Sequence, residues 1–173
     1  KIYSKNKFKP NEIHFEMNND LEQTNPKGVY VTSIIGCYNS KTDTVELSNA
    51  GHLPALFRVN DKFTEYNSSA LPLGVKKADN NDDYKLESFK LGEGRLYCFT
   101  DGYSECRNDQ GEEIGIEGVK KLILDNNNSS FKNEILKISK FVEQSSTKGV
   151  NFNTDSGTDN ILEDDLTIVG LGK

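Results

Sequence analysis

At 173 residues the chain has the length of one domain with a sizeable core, and its 34% hydrophobic and 28% charged residues suit a folded chain with long polar loops. A formal net charge of −6 argues against a nucleic-acid surface, which needs clustered Lys and Arg. No apolar run is long enough to cross a bilayer and no signal peptide is visible, so a cytoplasmic protein without membrane contact is expected. The three cysteines, Cys37, Cys98 and Cys106, match no zinc or redox spacing and read as reduced thiols, with Cys37 and Cys98 inside apolar strands.

Pro10 opens a short amphipathic helix that runs to about Glu22, with Ile13, Met17 and Leu21 on its apolar stripe. His14 lies off that stripe and reads as a surface residue. After the Asn25–Gly28 loop, Val29 to Tyr38 is rich in β-branched residues and pairs back through a turn at Asn39–Asp43 onto Thr44–Ser48. Asn49-Ala50-Gly51-His52-Leu53-Pro54 is a compact turn cluster. A second hairpin joins Ala55–Val59 to Lys62–Tyr66 across Asn60-Asp61.

Pro72-Leu73-Gly74 marks a turn or bulge, and Lys76 to Asp83 is a charged loop. Tyr84–Leu91 and Arg95–Thr100 are the next strands, joined by Gly92-Glu93-Gly94. Two helices follow, one carrying Ile116, Val119, Leu122 and Ile123 on one face, the other Phe131, Ile135, Ile138, Phe141 and Val142. Ser129 or Ser130 caps the second. Residues 144–160 are polar and read as a flexible loop. Asn151, Asn153 and Asp155 alternate as calcium ligands do, but Ser156 and Leu162 stand where an EF-hand loop needs Gly and Glu. Leu166–Val169 returns the chain to a mostly antiparallel sheet in an α+β fold.

Two acidic sites stand out. Leu96–Phe99 is an apolar strand that stops at Asp101-Gly102, and Glu163-Asp164-Asp165 directly precedes the last strand. Taken singly, Asp101 is a turn-capping acid and the Asp164-Asp165 pair a solvated turn whose charges repel. Two strands with acids at their ends can place them on one sheet rim, where clustered oxygens suit hard cations such as Mg²⁺ or Mn²⁺.

Asn49–Pro54, Leu71-Pro72-Leu73-Gly74, Thr100-Asp101-Gly102-Tyr103-Ser104-Glu105 and Asp164-Asp165-Leu166-Thr167 occur in the order found in serine phosphatases of the SpoIIE/RsbU type, within the PPM metal-dependent superfamily. Gly111–Gly115 also resembles the segment that follows the TDG motif. This resemblance implies a β-sandwich with flanking helices and a dinuclear Mn²⁺ or Mg²⁺ site at one end. It implies hydrolysis of phosphoserine or phosphothreonine on a STAS-type regulatory protein (an anti-sigma-factor antagonist) by a metal-activated water. Carried over by motif, Asp101 and Asp164 are metal ligands; Asp165 takes the second role if the strand-end register slips by one. Asn49, Gly51, His52 and Gly102 are structural residues near the site, with Asn49 and Gly51 fixing the turn and His52 read as structural rather than as a general acid.

The family's first acidic motif, an Asp-Gly whose carboxylate bridges both ions, has no match here, and the sequence opens on Lys1. The expectation is therefore a partial phosphatase domain over residues 1–173. Its sandwich would lack N-terminal strands, and its exposed edges would invite self-association. Two carboxylates hold at most one cation weakly, so the resemblance implies activity for the intact protein and not for this stretch by itself. A pseudophosphatase or partner-binding module that keeps the fold without turnover is the alternative.

Overall fold

Strand side chains alternate between two faces, and here both faces of the central strands are buried. In β2 (Thr44–Ala50), Val45 and Leu47 point one way while Ser48 and Ala50 point the other, and all are buried. A computed structural model describes residues 9–108, 110–127, 130–148 and 166–172. The described strands form two antiparallel sheets. One has the order β1 (Ser33–Asn39), β2, β5 (Glu87–Lys90); the other has the order β4 (Lys62–Tyr66), β3 (Ala55–Val59), β6 (Arg95–Phe99), β7 (Ile168–Leu171).

The sheets pack face to face through Val45, Leu47, Ala55, Phe57, Leu91 and Leu96. The outer face of the second sheet presents Leu56, Tyr97 and Phe99 to Val119 and Ile123 of α2 (Gly115–Asp125) and Ile138 and Val142 of α3 (Phe131–Lys148). The outer face of the first sheet is covered by α1 (Pro10–Thr24), where Phe15, Met17 and Leu21 pack against Ala50, Leu73, Ala78 and Tyr84. The layers are helix, sheet, sheet, helices, the sandwich that the resemblance implies.

Local chemistry accounts for the hairpins and caps. Asn39 Oδ1 accepts from the backbone of Lys41 and Thr42 and closes the β1–β2 turn. Asn60 takes the left-handed conformation (φ 54°) that the tight β3–β4 turn requires. Ser130 Oγ accepts from Asn133 N at 3.4 Å, so Ser130 is the cap of α3.

A buried ionic network ties α3 to the second sheet. Glu134, fully buried, accepts from Arg95 and from the Tyr97 hydroxyl, and Arg58 Nη2 lies 3.6 Å from its carboxylate. Arg58 also donates to Asn127 Oδ1 and the Ile123 carbonyl at the end of α2. Burial, then the bond to Glu134, drives the Tyr97 hydroxyl far above its ordinary pKa, so it remains a donor.

Several expectations are corrected. His14 is not on the surface: it is fully buried, its Nδ1 2.9 Å from Ser48 Oγ and its ring against Tyr84. Polar Asn11, His14 and Asn18 form the most buried stripe of α1, where they meet polar loop backbone and Ser48 beside the Tyr84 ring. The first strand begins at Ser33, not Val29; Val31 instead makes an isolated bridge to Leu73. The strand expected over Tyr84–Leu91 is confined to Glu87–Lys90, since Tyr84 caps a 3₁₀ turn. Helix α3 continues to Lys148, into the segment expected to be a flexible loop, and the remainder of that segment, including Asn151, Asn153 and Asp155, lies outside the described residues.

Candidate active site

Strand directions collect five strand ends at one end of the sandwich. Ser33 pairs with Ala50, so the start of β1 and the end of β2 coincide. Leu56 pairs with Tyr97, and Phe99 with Ile168, so the starts of β3 and β7 meet the end of β6. The rim thus carries Thr32, the Asn49–Pro54 turn, Thr100-Asp101 and Leu166-Thr167.

The turn is closed by Asn49, a buried residue on β2. Its Oδ1 accepts from His52 N at 3.0 Å, and its Nδ2 donates to the carbonyls of Leu53 and Tyr66. Gly51 adopts φ +69°, and a Cβ there would fall 2.6 Å from Pro72 N, which only glycine avoids. Its N–H donates to Ser68 Oγ at 2.6 Å. The His52 ring is held by its Nδ1, 3.1 Å from Thr32 Oγ1. Thr32 was not singled out in the sequence; a threonine just before a strand carries no pattern that marks it.

β6 stops at Phe99 because the chain enters a 3₁₀ turn over Asp101–Tyr103. The Asp101 carbonyl accepts from the backbone of Ser104 and Glu105 and from Ser104 Oγ. Its exposed carboxylate accepts from Gly102 N at 3.1 Å through Oδ1. Behind it, Tyr103 is fully buried and its hydroxyl lies 2.8 Å from Ser139 Oγ on α3. Cys106, also buried, belongs to the same core, and burial pushes the Cys98 thiol up to about 11, away from thiolate chemistry.

Thr100 joins this turn to β7. Thr100 N donates to the Thr167 carbonyl at 3.0 Å, and Thr167 N donates to Thr100 Oγ1 at 2.9 Å. The pairing of β6 and β7 therefore continues to the residue beside Asp101. The threonines of both motifs are present in the sequence, but their mutual bond is legible only once the register is known. Asp164 and Asp165 lie outside the described residues; Asp165 directly precedes Leu166 in the chain.

Among the described residues, no three His, Cys, Asp or Glu side chains are grouped to hold a metal ion. Asp101, with one oxygen on Gly102 N and the group exposed, fits one ligand position for a hard cation. The described residues alone do not make a dinuclear centre.

A sequence-family model described as Stage II sporulation protein E (SpoIIE) matches residues 1–172. The phosphoserine phosphatase RsbU of Bacillus subtilis (strain 168) is 26% identical over 105 residues, 59% of this chain; the match spans 30% of that protein's length. Among solved structures, the SiaA PP2C domain of Pseudomonas aeruginosa superimposes with a TM-score of 0.67 at 11% identity, covering 90% of this chain and 56% of that one. A structure of the PP2C phosphatase domain of SpoIIE from Bacillus subtilis, with a fragment of its regulatory domain, gives a TM-score of 0.65 at 18% identity, over 92% and 43% of the two chains.

Proposed function

The chain belongs to the SpoIIE family, and on that premise we propose that the intact protein is a PPM-type phosphatase that removes phosphate from phosphoserine or phosphothreonine on a regulatory protein. The observation that carries this reading is the rim: the Thr100-Asp101 strand end is hydrogen-bonded to Thr167, two residues from Asp165, beside the Asn49–Pro54 turn. In sequence, Asp165 and Asp164 stand two and three residues before Thr167.

Asp101, Asp164 and Asp165 are the proposed ligands of a divalent cation, Mn²⁺ or Mg²⁺. When bound, such a cation neutralises phosphoryl oxygens and supplies a water of lowered pKa as nucleophile. The chain's own contribution is positional. Gly102 N–H orients the Asp101 carboxylate, the Thr100–Thr167 bonds fix the two strand ends, and Asn49 holds the turn that carries His52. His52, bonded to Thr32, acts as a structural residue of the rim. Tyr103 and Ser139 brace the turn from behind.

The proposed substrate is a phosphorylated STAS-type regulatory protein in the cytoplasm. RsbU, whose name records a phosphoserine phosphatase, supports the chemistry. No helix among the described residues is long and apolar enough to cross a membrane. The test is phosphate release by the full-length protein from a phosphoserine peptide and from p-nitrophenyl phosphate, after chelation with EDTA and again after Mn²⁺ is restored. Release that stops on chelation and returns with Mn²⁺ supports the assignment. Release indifferent to chelation overturns the metal-dependent reading, and no release under any condition favours a pseudophosphatase.

A further inference from the structure

A cleft of about 200 Å³ lies between α1 and the segment spanning residues 69–84. Its floor is built from buried groups. Asn18, 1% exposed, donates from Nδ2 to the Lys76 carbonyl at 2.9 Å and accepts from Gly74 N through Oδ1 at 3.0 Å. One buried amide thereby fixes both the turn at Gly74 and the backbone that carries Lys76 and Lys77. Asn19 adds a second anchor, accepting from Ala78 N at 3.1 Å.

Four of the donors that line the cleft are unspent. Among the described residues, the ammonium groups of Lys76 and Lys77 have no carboxylate partner, and the hydroxyls of Ser69 and Tyr84 make no side-chain hydrogen bond. The lining contains one carboxylate, Asp83, whose Oδ2 already accepts from Asp79 N at 2.9 Å. The lining carries two cations against one anion, on a chain whose net charge is −6. Burial, and then the Asp83 charge, raise the Tyr84 pKa, so its hydroxyl stays protonated and can donate.

The cleft adjoins the rim. Pro72, one of its walls, is the residue that a Cβ on Gly51 would strike, and Ala70 bridges Ala50 at the end of β2. An extended segment can reach both places, and the volume admits one or two side chains but not a helix or strand.

We propose that this cleft is a docking subsite for glutamate or aspartate side chains flanking the phosphorylated residue of the protein substrate, an inference that rests on the phosphatase assignment above. The chain as a whole repels an acidic partner, and Lys76 and Lys77 supply the local attraction that seats its flanking segment. Ser69 and Tyr84 add directional donors to the same carboxylates.

The experiment is fluorescence anisotropy with the full-length protein and two labelled phosphoserine peptides, one flanked by glutamates and its twin flanked by alanines. The wild type is expected to bind the acidic peptide about tenfold more tightly, with the preference shrinking as NaCl is raised to about 0.5 M. Lys76→Met combined with Lys77→Met should erase the preference while leaving the alanine twin and p-nitrophenyl phosphate hydrolysis unchanged. Tyr84→Phe should weaken it about twofold. No preference in the wild type, or one that survives the lysine double variant, overturns the subsite. Hydrolysis without a preference sinks the cleft alone, whereas a lysine-dependent preference without hydrolysis sustains the cleft as an acid-binding site and sinks the phosphatase reading.

Discussion

Replacing Glu134 by Gln tests whether the ionic network holds α3 on the second sheet. Glu134 is fully buried and faces two guanidinium groups, Arg95 and Arg58, whose side chains are 20% and 4% exposed. At the 3.6 Å separation of Arg58 from Glu134, an effective dielectric of about 20 gives an attraction of roughly 4–5 kcal/mol. The desolvation of all three charges has been incurred on folding, so removing the one anion leaves two cations unpaired. The expected cost is about 3–5 kcal/mol, the range for breaking a buried ion pair from one side. For a chain of this size that is roughly a 10 °C fall in Tm. Urea denaturation followed by circular dichroism, with the m-value checked for constancy, measures it directly. The converse variant, Glu134→Leu with Arg58→Met and Arg95→Met, should recover most of the loss, because apolar groups incur no such desolvation. A Glu134→Gln loss below about 1 kcal/mol would refute the reasoning, since a buried carboxylate between two arginines cannot then be the main anchor.

Burial holds His14 down to about 4 from the ordinary 6.5, so the unfolded chain binds the proton more readily between those values. Its contribution is complete above pH 6.5 and is lost as pH falls toward 4; the expected loss between pH 7 and pH 5 is about 2 kcal/mol, absent in His14→Phe, and equilibrium unfolding at the two pH values checks it. Gly51→Ala should destabilise by about 2 kcal/mol or more in the same assay, because φ is +69° and the new Cβ meets Pro72 backbone. Thr100→Val removes the acceptor for Thr167 N and should cost about 1 kcal/mol, with faster hydrogen exchange at the Thr167 amide, while Thr100→Ser should exchange as wild type.

The hairpins and both C-terminal helices were legible because their signals are local. Asn60-Asp61 between alternating strands predicts the β3–β4 hairpin to the residue, and the apolar face from Ile116 to Ile123 marks α2. Helix α1 was legible as a helix, and Met17 and Leu21 of its apolar stripe pack on the core, but its buried polar positions were not legible. Hydrophobic periodicity pointed to Ile13, Met17 and Leu21, whereas the polar residues Asn11, His14 and Asn18 are more deeply buried, bonded to loop carbonyls and Ser48. Periodicity reports apolar faces and is blind to polar residues buried against distant loop backbone and Ser48. The Arg58–Glu134–Arg95 network was missed for a related reason, since its members are far apart in sequence and each reads as a surface charge. At the rim, Asp101 and the Asn49 turn stood out as motifs, while Thr32 bonded to His52 and Thr100 bonded to Thr167 depend on register.

The central claim is that Asp101 belongs to a metal-dependent phosphatase centre. The most direct measurement is Mn²⁺-dependent phosphate release from a phosphoserine peptide by the full-length protein, beside its Asp101→Asn variant, with Mn²⁺ affinity measured on both by calorimetry. The variant keeps the size and the Gly102 contact of the side chain and loses its charge. The account predicts loss of turnover by about a hundredfold or more together with weakened Mn²⁺ binding. A variant that binds Mn²⁺ and releases phosphate as the wild type does would contradict it.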